Sequence, residues 1–185
     1  MRYTQGVNEA RLMHNLALIG FMGVGKSSVG RLAAAQLRFD FLDTDGLIEA
    51  LAGKSISRVF AEDGEPAFRA GEREVVRQLE GRHGVVIATG GGLAANPDNL
   101  ASLKTHAFVV CLWASAEVLW ERVRHQTHRP LLQAPDPVAR MRQLLAEREP
   151  FYRQADLLVN TEMRPVKEVA LLIVQHFRRA QRERA

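Results

Sequence analysis

An α/β fold built on a parallel sheet is predicted by three observations. Five short apolar runs recur along the chain, at 16–20, 39–43, 85–89, 107–113 and 157–160. Stretches with helical periodicity separate them, the alternation that a parallel sheet with crossover helices requires. Clusters of glycine or aspartate follow the first three runs, and in such sheets ligands bind beyond the carboxyl ends of the strands.

The elements follow in order. Residues 1–14 are polar and read as an extension, with a short helix from Asn8 the only element they suggest. The run 16–20 is short, continuous and apolar, as a strand buried on both faces should be. A helix is expected over 27–37, with Val29, Leu32, Ala33 and Leu37 on its core face. A second strand at 39–43 ends in Asp43-Thr44-Asp45. From 46 to 81 the pattern is helical throughout, punctuated by Gly53 and Gly64, and its last helix places Phe68, Val75, Val76 and Leu79 at core spacing. The third strand, 85–89, runs into Gly90-Gly91-Gly92. Asn96-Pro97 opens a helix, since proline suits the first helical position. The fourth strand, 107–113, precedes Ser115, an N-cap for a helix reaching Arg124. Residues 125–136 have the polar, proline-bearing composition of a loop. Asp136-Pro137 caps a helix expected to stop before Pro150. After the fifth strand, a closing helix from Pro165 to about Arg179 turns Val166, Val169, Ala170, Ile173, Val174 and Phe177 inward.

Four clusters carry candidate chemistry. Gly20 to Ser27 matches G-x-x-x-x-G-K-[ST] between a strand and a helix. Its backbone N–H groups and the helix N-terminus suit phosphate, with Lys26 reaching the β/γ-phosphates and Ser27 offering a hydroxyl to Mg²⁺. Asp43 and Asp45, two apart in an extended segment, face the same way. One would hold the hydration shell of the metal and the other would accept a hydroxyl proton, unless the pair serves as a helix N-cap. Gly90-Gly91-Gly92 is either a close approach for a ligand or a tight turn. Among the arginines, Arg129 is either a lid residue closing on a transferring phosphoryl group or a solvated loop side chain. Arg69 and Arg148 have the fork geometry for a ligand carboxylate, or else pair structurally with Glu72 and Glu149.

Composition narrows the classes. The chain has 185 residues, 46% of them hydrophobic, which suits one domain with a real core. No run approaches the roughly 20 apolar residues of a membrane span, and the first 14 residues lack the apolar middle of a signal peptide. The single cysteine, Cys111, lies in an apolar run and reads as a core thiol. A cytoplasmic protein without membrane or nucleic-acid partners is therefore expected; a monomer is also expected, though composition does not decide the oligomeric state. The net charge of +4 suits anionic ligands, and the arginines near the end read as a solvated helix tail. His125 and His128 lack a third ligand for zinc.

Taken together, these motifs resemble the shikimate kinase family over about residues 15–180. The resemblance rests on the loop Gly20 to Ser27, Phe41-Leu-Asp43-Thr-Asp45, Ile56 through Phe60 with Gly64-Glu65, Phe68-Arg69 and Glu72, Thr89-Gly-Gly-Gly92, Arg129-Pro-Leu-Leu132 and Arg148-Glu-Pro-Phe-Tyr152. It implies a three-layer P-loop kinase fold, a five-stranded sheet in order 2-3-1-4-5, a substrate-binding region at about 44–81, a lid at about 124–136, and a tail at 181–185. It also implies ATP-dependent phosphorylation of the shikimate 3-hydroxyl on the route to chorismate, with Mg²⁺. By this resemblance Gly23, Val24, Gly25, Lys26, Ser27 and Ser28 hold the ATP phosphates. Arg122 packs on adenine, Arg164 lies near the nucleotide and Arg129 is the lid arginine. Ser27 and Asp43 serve the metal. Asp45 is the base and binds the ring hydroxyls. Arg69 and Arg148 grip the shikimate carboxylate, with Gly91, Gly92, Phe60 and Phe68 around the substrate. Residues 1–14, the Ala70-Gly71 pair inside a predicted helix and the lid run His125-Gln-Thr-His128 depart from the family pattern. A gluconate kinase is the nearest enzymatic alternative, and a non-catalytic nucleotide sensor the nearest non-enzymatic one. A GTPase would need an Asn-Lys-x-Asp motif that the chain lacks.

Overall fold

The computed structural model describes residues 13–125 and 135–183. Among these, β1 (Asn15–Ile19), β2 (Asp40–Asp43), β3 (Val85–Ala88), β4 (Ala107–Trp113) and β5 (Leu157–Asn160) form one parallel sheet. Its order is β2-β3-β1-β4-β5, the order that the resemblance implies. The register sets Leu16 beside Val86 on one side and Phe108 on the other. The carboxyl ends of β1, β2 and β3 therefore lie together, which gathers the phosphate loop, Asp43 and the glycine run at one edge of the sheet.

Strand alternation divides the core. Leu16 and Leu18 face a layer with Val29 and Ala33 of α1 (Lys26–Leu37) and Ile173 and Phe177 of α8 (Val166–Arg182). Ala17 and Ile19 face the opposite layer, with Val75 and Leu79 of α4 (Gly64–Leu79) and Leu100 and Leu103 of α5 (Pro97–His106). All of these side chains are buried. Full burial of a Leu, Ile or Phe side chain contributes about 1.5–3 kcal/mol, so the two layers make the sheet a rigid platform for the loops above it.

Several boundaries differ from the sequence expectation. The helical stretch after β2 divides into α2 (Thr44–Ala52), α3 (Ile56–Glu62) and α4. Because α2 begins at Thr44, the Asp43-Thr44-Asp45 segment is not extended: Asp43 is the N-cap and accepts the Asp45 N–H. The N-cap alternative thus holds for Asp43. Ala70-Gly71 does not interrupt α4; a Cβ at Gly71 would stand 3.3 Å from Ile48 Cγ2, so the bare backbone lets α2 pack closely. The helix after Asp136, α7 (Pro137–Tyr152), runs through Pro150. Proline sacrifices one hydrogen bond in the last turn, and Arg153 N closes the end on Glu149 O at 2.9 Å. Val166 is exposed rather than in the core: it is the first residue of α8 and lines a surface cavity. Leu32 and Leu37 are partly buried against the core. The helix proposed from Asn8, and most of the expected lid with Arg129, lie outside the described residues.

Candidate active site

The loop between β1 and α1 is built by backbone conformations that favour glycine. Gly20, Gly23 and Gly25 have φ of +132°, +76° and +98°, where a Cβ is strained. A Cβ at Gly20 would also stand 2.2 Å from Leu112 O, so the loop lies directly on β4. The buried Lys26 ammonium donates to Gly20 O at 2.8 Å and Phe21 O at 2.9 Å. It is thereby held inside the curl of the loop. The first turn of α1 contains no acidic residue, leaving its N–H groups and dipole to an anion.

Ser27 Oγ donates to Asp43 Oδ2 at 2.8 Å, joining α1 to the end of β2. A hydroxyl and a carboxylate oxygen side by side form a hard donor pair that fits Mg²⁺, which completes its shell with water and phosphate oxygens. Among the described residues, no group of three His, Cys, Asp or Glu side chains could hold a metal ion. A cation held by this pair would need ligands beyond these two residues.

The acceptor side is organised around the glycine run after β3. Gly90 N donates to the buried Thr44 Oγ1 at 2.8 Å. The Asp45 carboxylate packs on Gly90 so closely that a Cβ there would meet Asp45 Oδ1 at 2.4 Å. A Cβ at Gly91 would stand 3.2 Å from Met22 N, so the run also touches the phosphate loop. Gly91 O accepts from Arg148 Nη1 at 2.8 Å and from Tyr152 Oη at 3.1 Å. Beside Gly92, Arg69 Nη1 and Arg148 Nη2 would lie 3.2 and 3.7 Å from a Cβ. Asp45, Arg69 and Arg148, dispersed over a hundred positions of sequence, thus meet at three consecutive glycines.

The arginine environments differ. Arg69 donates to Glu72 Oε2 at 2.7 Å and to Glu65 Oε1 at 2.9 Å. Burial works against its charge, and the two carboxylates outweigh that and raise its pKa. Glu72 is buried, and burial pushes its carboxyl above the usual range despite Arg69, with Asp45 adding in the same sense. The pairing expected for Arg148 is absent: Glu149 instead accepts from Arg153 Nε at 2.8 Å. The Arg148 guanidinium lies 5.1 Å from the Phe21 ring centroid, a favourable cation–π distance. Burial pushes the Tyr152 hydroxyl up to about 12. Phe68 is buried and its ring centroid lies 4.7 Å from that of the exposed Phe60.

Two adjoining cavities flank the phosphate loop. One, of about 310 Å³, is lined by Met22, Lys26, Ser27, Asp43, Asp45 and Gly91 among others. The second, of about 200 Å³, lies between the loop and the start of α8, where Val24, Ser28, Arg122, Arg164 and Val166 line it. Arg122 is anchored by donating to Thr161 Oγ1 at 3.0 Å and Thr161 O at 2.7 Å. Thr44, Phe21, Tyr152 and Thr161 are contributors that sequence reading missed. Thr44 and Tyr152 lie inside quoted motifs, whereas Thr161 carries no sequence signal.

A phosphate loop with a hydroxyl–carboxylate pair beside it, facing a glycine run at which two guanidinium groups meet, defines the class of P-loop kinases. A model of the shikimate kinase family matches residues 22–178. The shikimate kinase of Thermodesulfovibrio yellowstonii is 43% identical over 167 residues, covering 90% of this chain and 96% of that protein. A solved shikimate kinase from Acinetobacter baumannii, in complex with shikimate, superposes with a TM-score of 0.86 at 36% identity, over 91% of this chain and 95% of that one. A gluconokinase from Sinorhizobium meliloti has a TM-score of 0.62 at 19% identity, over 91% of this chain and 94% of that one, a likeness of fold alone. The chain belongs to the shikimate kinase family.

Proposed function

We infer that the reaction of this family runs where the two cavities meet. The chain phosphorylates the shikimate 3-hydroxyl with ATP, giving shikimate 3-phosphate and ADP, in chorismate and aromatic amino acid biosynthesis. In our reading, Gly23 to Ser28 hold the phosphates of ATP, and the nucleoside extends toward Arg122 and Arg164. Ser27 and Asp43 hold Mg²⁺, which when bound neutralises charge on the phosphate oxygens. Arg69 and Arg148 grip the shikimate carboxylate, and Gly91, Gly92, Phe60 and Phe68 wall the ring. Asp45 binds the ring hydroxyls and takes the proton as the 3-oxygen attacks the γ-phosphorus in line. The bond from that phosphorus to the β-bridging oxygen breaks, and ADP carries the electron pair away. Lys26 and Arg129 stabilise the charge on the transferring group. Arg129 belongs to a lid at about 124–136 that excludes water. The substrate-binding region is 44–81, residues 1–14 and 181–185 flank the domain, and the enzyme acts as a cytoplasmic monomer without nucleic-acid or membrane partners.

The observation that carries this reading is the meeting of Asp45, Arg69 and Arg148 at the glycine run, beside the cavity that Lys26 lines. It supports reading the two arginines as a carboxylate grip and Asp45 as a proton acceptor, on one side of a phosphate site. Asp45→Asn is expected to abolish shikimate-dependent ADP release while ATP still binds. Loss of ATP binding in that variant, or undiminished turnover, overturns the role of Asp45. Turnover of gluconate with none of shikimate would overturn the substrate.

A further inference from the structure

We propose that Thr44 is a positioning residue, setting the Asp45 carboxylate against the glycine run through one buried hydrogen bond. The inference rests on the reading of Asp45 as the residue that receives the hydroxyl proton.

Adjacent strands β2 and β3 stay in register only as far as Asp43 and Ala88. Beyond that pair the chains part, one into α2 and the other into the glycine run. The Gly90 N–H donated to Thr44 Oγ1 at 2.8 Å is the next cross-connection. Thr44 is fully buried and Gly90 is buried, so without the hydroxyl this N–H would be shut away from solvent without an acceptor, which a buried amide does not tolerate without movement.

The residues on either side of Thr44 show what the bond controls. Asp43 holds Ser27 Oγ and caps the Asp45 N–H, so the backbone of this turn is tied to the phosphate loop. Asp45 Oδ1 lies 2.4 Å from where a Cβ of Gly90 would be, so its carboxylate packs directly on the backbone that the Thr44 hydroxyl holds. Thr44 is the only member of the triplet without a charge, and its hydroxyl joins the donor-side turn to the acceptor-side loop. Displacing a reacting group by about 1 Å can cost about a hundredfold in rate, so a shift in this contact bears on turnover.

Thr44→Val keeps the shape of the side chain and removes the acceptor. It is expected to lower kcat by about ten- to a hundredfold while leaving the KM for ATP within about twofold, and Thr44→Ser is expected to retain most of the wild-type kcat. Thr44→Ala and Thr44→Ser differ only by the hydroxyl, so this pair serves if the valine variant does not fold: the alanine variant should show the kcat loss and the serine variant should not. Wild-type kinetics in a folded Thr44→Val, with Asp45→Asn inactive, overturns this inference alone. Turnover retained in Asp45→Asn overturns the underlying reading. Equal losses in the serine, alanine and valine variants, accompanied by weaker ATP binding and lower Tm, would make Thr44 merely a packing residue and also overturn the inference.

Discussion

Replacing Arg69 by alanine separates its two roles. In the folded chain Arg69 donates to Glu72 at 2.7 Å, with the Glu72 side chain 2% exposed and that of Arg69 35% exposed. Removing one partner of a fully buried pair costs about 3–5 kcal/mol. Arg69 is partly in water and shares its charge with the exposed Glu65, so about half of that, ~2 kcal/mol at pH 8, is expected. For a chain of this size it corresponds to a fall in Tm of about 4–8 °C. The pH dependence follows from Glu72. Burial already holds its carboxyl above the ordinary value of 4.5 with Arg69 pulling it down, and losing Arg69 raises it further. Between the ordinary and the raised value, the folded variant keeps a proton that the unfolded chain releases. Stability relative to wild type therefore falls as pH rises through that window and is recovered as pH is lowered toward 5. Adding Glu72→Gln removes the buried charge and should restore much of the Tm at pH 8, but not shikimate turnover. Thermal unfolding by circular dichroism at pH 5.5 and 8, beside a coupled ADP-release assay, reads both roles. An equal Tm deficit at the two pH values, or no rescue by the glutamine, refutes the buried-pair reasoning.

Arg148→Ala should weaken shikimate binding by about 2–5 kcal/mol, as for loss of a buried charge partner, with ATP binding retained; unchanged shikimate affinity in a titration would remove Arg148 from the carboxylate grip. Burial pushes the Cys111 thiol up to about 12, so it is expected to stay inert to a thiol-specific reagent at pH 8 and to react once the chain is unfolded in guanidinium. Rapid labelling of the native protein would contradict its place in the core.

The phosphate loop was legible because its determinants are contiguous: glycine spacing, Lys26 and Ser27 follow one another along the chain, and a strand and helix flank them. The residues of the acceptor side are local only in space. Composition and spacing left Arg69 and Arg148 as either ligand-binding or structural. Glu72 was legible as a partner of Arg69, but its burial was not, since that depends on how α4 packs against its neighbouring helices α2, α3 and α5. Pro150 read as a stop because proline breaks helix interiors, yet in a final turn it forfeits one bond and α7 carries on to deliver Tyr152. Val166 obeyed the core periodicity of α8, but as the first residue of that helix it lines the cavity with Arg122 and Arg164 instead.

The two halves of the site meet through backbone as well as through side chains. Phe21 O holds the Lys26 ammonium, and the Phe21 ring carries the Arg148 guanidinium. Met22 N and Gly91 are in contact, and Gly91 O accepts from Arg148 and Tyr152. A shift of Phe21 would therefore disturb Lys26 and Arg148 together, although they lie 122 residues apart in the chain. Alanine at Gly91 would press on Met22 N at 3.2 Å, and at Gly20 on Leu112 O at 2.2 Å. Glycine at 91 lets the glycine run lie against the phosphate loop, and glycine at 20 lets that loop lie against β4, so a side chain at either position would shift one layer of the site from the next. This explains why the phosphate loop alone identifies a nucleotide site, whereas the chemistry depends on how closely a second, sequence-distant glycine run can be laid against it.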